Sequence, residues 1–125
     1  MKYNGYTAKY EIDEEAGLFH GQVLGIRDVV TFQGESVTEL IQAFHDSVDD
    51  YLAFCAERGE EPDKPFSGNF PVRISPELHR SASIEAEAAG LSLNQWVSQT
   101  IEAALKTIAK RSENAYTGAT LDSSK

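Results

Sequence analysis

Only one cysteine, Cys55, occurs in the chain, so no internal disulfide is available, and one thiolate is too few for a structural zinc site. Cys55 is expected to be a buried helix residue. No apolar run approaches the roughly 20 residues that a helix needs to cross a bilayer. The opening residues Met1 to Tyr6 also lack the apolar heart of a signal peptide, so a cytoplasmic protein without membrane contact is expected. Basic residues are scarce: Lys and Arg number 11 against 20 Asp and Glu, a net charge of −9. A balance of that sign argues against nucleic acid until it is counted by segment.

The deficit is uneven. Residues 1–65 hold only Lys2, Lys9, Arg27, Arg58 and Lys64 against fourteen acids and so carry the whole −9, while residues 66–125 are neutral, with Arg73 and Arg80 near their start. Two parts with different partners is the natural reading.

In the first part, Tyr6, Ala8, Tyr10 and Ile12 alternate with Thr7, Lys9 and Glu11, the period of a half-buried strand. The polar turn Asp13 to Gly17 leads to a second strand over Leu18–Leu24, and a third is expected from Val29 to Gln33, close enough for an antiparallel meander. Ser36-Val37-Thr38-Glu39 is a capping box, and behind it Val37, Leu40, Ile41, Phe44, Val48, Tyr51, Leu52 and Cys55 recur at spacings of three and four. That pattern predicts a long helix with one stripe on the sheet and an acidic face in solvent. Gly59 is a plausible C-terminal cap, and the charged, proline-bearing segment 60–65 reads as a linker.

Beyond it, Phe70, Val72 and Ile74 alternate with Asn69, Pro71 and Arg73 in a strand too short to survive alone. Ser75-Pro76-Glu77 supplies an N-cap, a proline at the first helical position and an acid in the first turn of a helix that ends at Gly90. Its core side is thin: Leu78, Ala82, Ala86 and Ala89. Ser92-Leu93-Asn94-Gln95 is a second capping box, opening a helix with Val97, Ile101, Ala104, Leu105 and Ile108 on one face and Trp96 beside it. The small polar residues 112–125 are expected to be a disordered tail.

One strand and two helices over residues 66–111, roughly 45 residues, make a marginal core, so a second copy is needed to cover it. If two copies pair their strands antiparallel, Phe70, Val72 and Ile74 are buried against four helices. Asn69, Pro71 and Arg73 from both chains then form an exposed two-stranded ribbon of a size that fits the major groove.

The run Asn69 to Leu78, followed by Gly90 to Gln95, resembles the ribbon-helix-helix family, whose members read DNA with such a ribbon. By that resemblance Asn69 and Arg73 reach base edges, and Ser92 with the amides of Leu93 and Asn94 holds a phosphate. Pro71 departs from the pattern, since it occupies the middle reading position and offers no donor. The wider arrangement, about residues 3–110, resembles the HicB antitoxin family in Phe19-His20-Gly21-Gln22-Val23, Phe32-Gln33-Gly34-Glu35-Ser36, Phe66-Ser67-Gly68 and the block Ser75 to Arg80 with Ser92 to Gln95.

What this resemblance implies is an α+β chain: an N-terminal partial RNase H-like β-β-β-α domain over 1–59, the linker 60–65, and a C-terminal ribbon-helix-helix (β-α-α) domain over 66–111. The implied function is the antitoxin of a type II toxin–antitoxin pair, neutralising a HicA-type mRNA-cleaving toxin by direct binding and repressing its own operon by binding operator DNA. The implied assembly is a homodimer, with a higher oligomer open, and no cofactor is expected. The alternative is a stand-alone ribbon-helix-helix regulator with an N-terminal sensing domain.

Enzyme chemistry is not expected. Asp28, Asp13, Glu11, Glu39 and Asp46 invite comparison with a ribonuclease H carboxylate cluster, yet no pair has metal-ligand spacing. His20, His45 and His79 are scattered without a neighbouring ligand, and Trp96 and the tyrosines read as core residues because the basic surface needed beside stacked bases is missing.

Overall fold

A computed structural model describes the backbone of residues 1–123 and the side chains of residues 1–111. The chain is α+β and divides into two compact units, Met1–Phe70 and Pro71–Lys125.

The first unit is an antiparallel sheet in the order β1 (Lys2–Tyr3), β2 (Tyr6–Asp13), β3 (Leu18–Val23), β4 (Thr31–Gly34), with α1 (Val37–Arg58) on one face. The expected meander is present, with β1 as an addition: Asn4 and Gly5, both at positive φ, make the tight turn that folds Lys2 onto Thr7. The β2–β3 turn is closed by Asp13, whose carboxylate accepts from Ala16 N at 3.1 Å and whose carbonyl accepts from Gly17 N at 2.9 Å. The third strand starts at Thr31 rather than Val29, because Val29 lies exposed in the connecting turn.

The core is the apolar stripe of α1 against one sheet face. Leu40, Phe44, Val48, Tyr51 and Cys55 are buried with Ala8, Val23, Ile26 and Phe32. Phe32 stacks on Phe44 with centroids 5.3 Å apart, and a Cβ on Gly21 would lie 2.2 Å from the Phe32 ring. Gly21 is therefore the opening through which Phe32 reaches the core. The capping box forms as expected: Ser36 Oγ accepts from Glu39 N at 3.1 Å, and the Glu39 carboxylate accepts from Glu35 N at 2.8 Å. Gly59, at φ 68°, ends the helix and lets Glu60 N donate to the Cys55 carbonyl at 2.9 Å.

In the second unit, α2 (Pro76–Ala88) is capped by Ser75 Oγ, which accepts from Leu78 N at 3.2 Å, and closes at Gly90, beyond which Leu91 N donates to Ala86 O at 2.9 Å. α3 is Leu93–Ser123, so helical backbone runs through most of the segment expected as a disordered tail; residues 124–125 lie outside the described residues.

Asn69–Ile74 carries no strand in this single chain, in which the second copy expected to pair with it is not present. One expectation is corrected. The segment 60–65 is not a free linker, since Pro62 O accepts from Arg27 N at 3.2 Å, Lys64 N donates to Gly25 O at 3.0 Å, and Asp63 bridges to Ile26.

Candidate functional site

The ribbon and phosphate-binding residues expected from sequence are all at the surface except Leu93, which is half-buried. Ser67 Oγ accepts from Asn69 N at 3.0 Å and donates to Asn69 O at 3.2 Å, a local turn that precedes Phe70–Ile74, a stretch in neither helix nor strand. No hydrogen bond or ion pair joins Arg73 to Ser92 or Asn94 among the described residues of the second unit.

At the start of α3 the box is reciprocal: Ser92 Oγ accepts from Gln95 N at 3.1 Å, and Ser92 N donates to Gln95 Oε1 at 2.9 Å. Those two donors are satisfied. The amides of Leu93 and Asn94, at the first turn of a helix, are the ones left to face an anion.

The apolar side of this unit is open. Ala86 alone is buried, while Val72, Ile74, Leu78, Ile84, Ile101, Leu105 and Ile108 are exposed among the described residues, as is Phe70 at the end of the first unit. All of these but Ile84 are positions at which periodicity predicts a core. An isolated soluble domain does not leave its periodic core positions in water.

Three of the carboxylates weighed for metal chemistry, Asp13, Glu39 and Asp46, have structural partners. Asp13 is held below the usual carboxylate range, first by the Ala16 amide and then by His20, whose Nε2 lies 3.3 Å away. Glu39 caps α1, and Asp46 accepts from Gln42 Nε2 at 2.9 Å. No three His, Cys, Asp or Glu side chains meet in a metal-binding group among the described residues. No described helix is long and apolar enough to cross a membrane.

Residues 51–101 match the HicB family. The HicB match runs from the second half of α1 through Asn69, Pro71, Arg73 and α2 to Ser92, Leu93, Asn94 and the first turns of α3. Every residue expected to touch DNA falls inside it, and the sheet falls outside. No curated protein and no solved structure matches the chain.

Sequence reasoning missed a tyrosine latch. Tyr6 Oη donates to Asp63 Oδ1 at 2.7 Å and Tyr51 Oη donates to the Pro62 carbonyl at 2.8 Å, both holding the 60–65 segment on the first unit. Such hydroxyl bonds, one to a carboxylate and one to a backbone carbonyl, leave no periodic trace in a sequence. The bond to Asp63, followed by burial, pushes the Tyr6 hydroxyl up to about 12. A raised folded-state value stabilises below the ordinary value, and that contribution is lost as pH rises through the folded one. The hold on the 60–65 segment should therefore weaken as Tyr6 ionises around pH 12, and Tyr6→Phe should remove that late step from the ultraviolet tyrosine titration. An unaltered titration curve in the variant would show that Tyr6 is not the late group.

Proposed function

We propose that the protein is the antitoxin of a type II toxin–antitoxin pair. The acidic first unit neutralises a HicA-type mRNA-cleaving toxin, and the second unit dimerises as a ribbon-helix-helix to bind operator DNA. The observation that carries the reading is that the HicB match, residues 51–101, takes in the start of a unit most of whose periodic large apolar residues are exposed in the single chain.

Pro71 restricts how two copies pair. In an antiparallel ladder, alternate residues bond across and the others point away. With Val72 on the two-fold axis as a bonded pair, Phe70, Val72 and Ile74 make the ladder, and positions 71 and 73 point their backbone nitrogens outward. Pro71, which has no N–H, then costs no bond. Phe70, Val72 and Ile74 also share one face in that register, and Arg73 lies on the other with Pro71 and Asn69. The proline that departs from the reading pattern thus fits the ribbon's backbone, and it offers DNA an apolar contact such as a thymine methyl.

The negative charge of residues 1–65 suits a cationic RNA-binding protein and speeds its association. Arg73→Ala should weaken operator binding by roughly 1–3 kcal/mol and leave toxin neutralisation intact, because the two activities belong to different units. A titration at fixed salt against the DNA upstream of the chain's own gene checks this. Unchanged affinity would remove Arg73 from the reading face, and lost neutralisation would break the division of labour.

A further inference from the structure

The sheet of the first unit has an open edge. β1 covers β2 only at Tyr6 and Thr7, with Met1 O accepting from Ala8 N at 2.9 Å, so from Lys9 onward the outer side of β2 has no neighbouring strand among the described residues. The direction of the free groups follows from one bond. Leu24 N donates to Thr7 O at 2.8 Å, which makes Thr7 and Leu24 a bonded pair in the β2–β3 ladder. By alternation Lys9, Glu11 and Asp13 also bond to β3, while Tyr10 and Ile12 direct their N–H and C=O groups outward. An edge of this kind is a template for another strand.

The side chains beside it match. Tyr10 and Ile12 share the α1-facing side of the sheet with buried Ala8, yet they are 56% and 66% exposed. On α1, Ile41 is exposed one turn before His45, whose ring stacks on Tyr3 at 4.0 Å, so Ile41 lies on the helix flank that faces the β1–β2 side. The opposite face of β2 presents Lys9, Glu11 and Asp13. The template is therefore an apolar shelf on one side and a mostly acidic row on the other.

We propose that this edge binds an extended segment of the cationic toxin as an added strand. Its apolar residues would cover Tyr10 and Ile12, and its Lys or Arg residues would face Glu11 and Asp13. A second copy fits the edge less well. Two such units would each bring the −9 of residues 1–65, and any self-pairing that sets Tyr10 against Ile12 places Glu11 against its own copy. The proposal rests on the antitoxin reading given above and names the surface that it uses.

Proline at position 12 isolates the edge. The Ile12 amide points outward, so Ile12→Pro removes an edge donor and spares the β3 ladder. The test measures binding of the full chain and its Ile12→Pro and Tyr10→Lys variants to the basic protein of the adjacent reading frame, by calorimetry, with amide exchange followed residue by residue. The expected result is affinity weaker by about tenfold or more in both variants, with the Tyr10 and Ile12 amides fast in the free chain and slowed in the complex. Tyr10→Lys leaves the backbone unchanged, so it serves even if the proline variant folds poorly. Binding by the wild type with unchanged affinity in both variants overturns the edge and leaves the antitoxin reading standing. Absence of wild-type binding overturns that reading, and this one with it. Amides already slow in the free chain, together with a smaller sedimenting mass for Ile12→Pro, would assign the edge to a second copy and likewise refute the proposal.

Discussion

Val72→Asp should abolish dimerisation of the chain and with it operator binding. Val72 is 63% exposed in the single chain and sits at the centre of the apolar trio Phe70, Val72 and Ile74. In the paired ribbon it faces its own copy across the two-fold axis, so the substitution sets two carboxylates against each other in an apolar centre. Burying unpaired charge costs several kcal/mol, and the like-charge pair adds to it, which moves the dimer constant by roughly a thousandfold or more. Sedimentation equilibrium at micromolar concentration should show a monomer, and toxin binding by the first unit should persist. A Val72→Asp dimer of unchanged strength would take the strand out of the interface.

Gly34→Ala should unfold the first unit without touching the second. A Cβ at Gly34 would lie 2.5 Å from Leu40 N and 2.9 Å from the Glu39 carbonyl carbon, so it meets the first turn of α1 in its backbone, which cannot rotate aside. The turn is also pinned by Ser36 and Glu39 in the capping box. Overpacking of well-filled sites costs roughly 1–3 kcal/mol, and a backbone obstacle places this site at or above the top of that range. Urea unfolding followed at the first unit's tyrosines should shift strongly. A loss below about 1 kcal/mol would mean that β4 and α1 can separate at little cost.

These two positions show what a sequence displays and what it hides. The capping boxes at Ser36 and Ser92, the glycine stops at Gly59 and Gly90, and the three-and-four spacing of α1 were legible because each is a local rule satisfied by neighbouring residues. The partition of charge was legible in the same way. β1 was not, because two residues are too few for a period, although the Asn4-Gly5 pair is a hairpin signal. The docking of 60–65 was hidden because backbone groups and two tyrosine hydroxyls, rather than apolar side chains, hold it. In the second unit the reverse holds. Periodicity marks Val72, Leu105 and Ile108 as core positions, and the single chain leaves them exposed; the proposed pairing with a second copy would cover them.

The most direct test of the two-unit account is growth of bacteria that express the small basic protein of the neighbouring reading frame, with and without this chain. The account predicts arrest with cleaved mRNA when the basic protein is made alone, and recovery when this chain or its Arg73→Ala variant is made with it. A neighbour that is harmless, or arrest that persists while both proteins are soluble, would contradict the assignment.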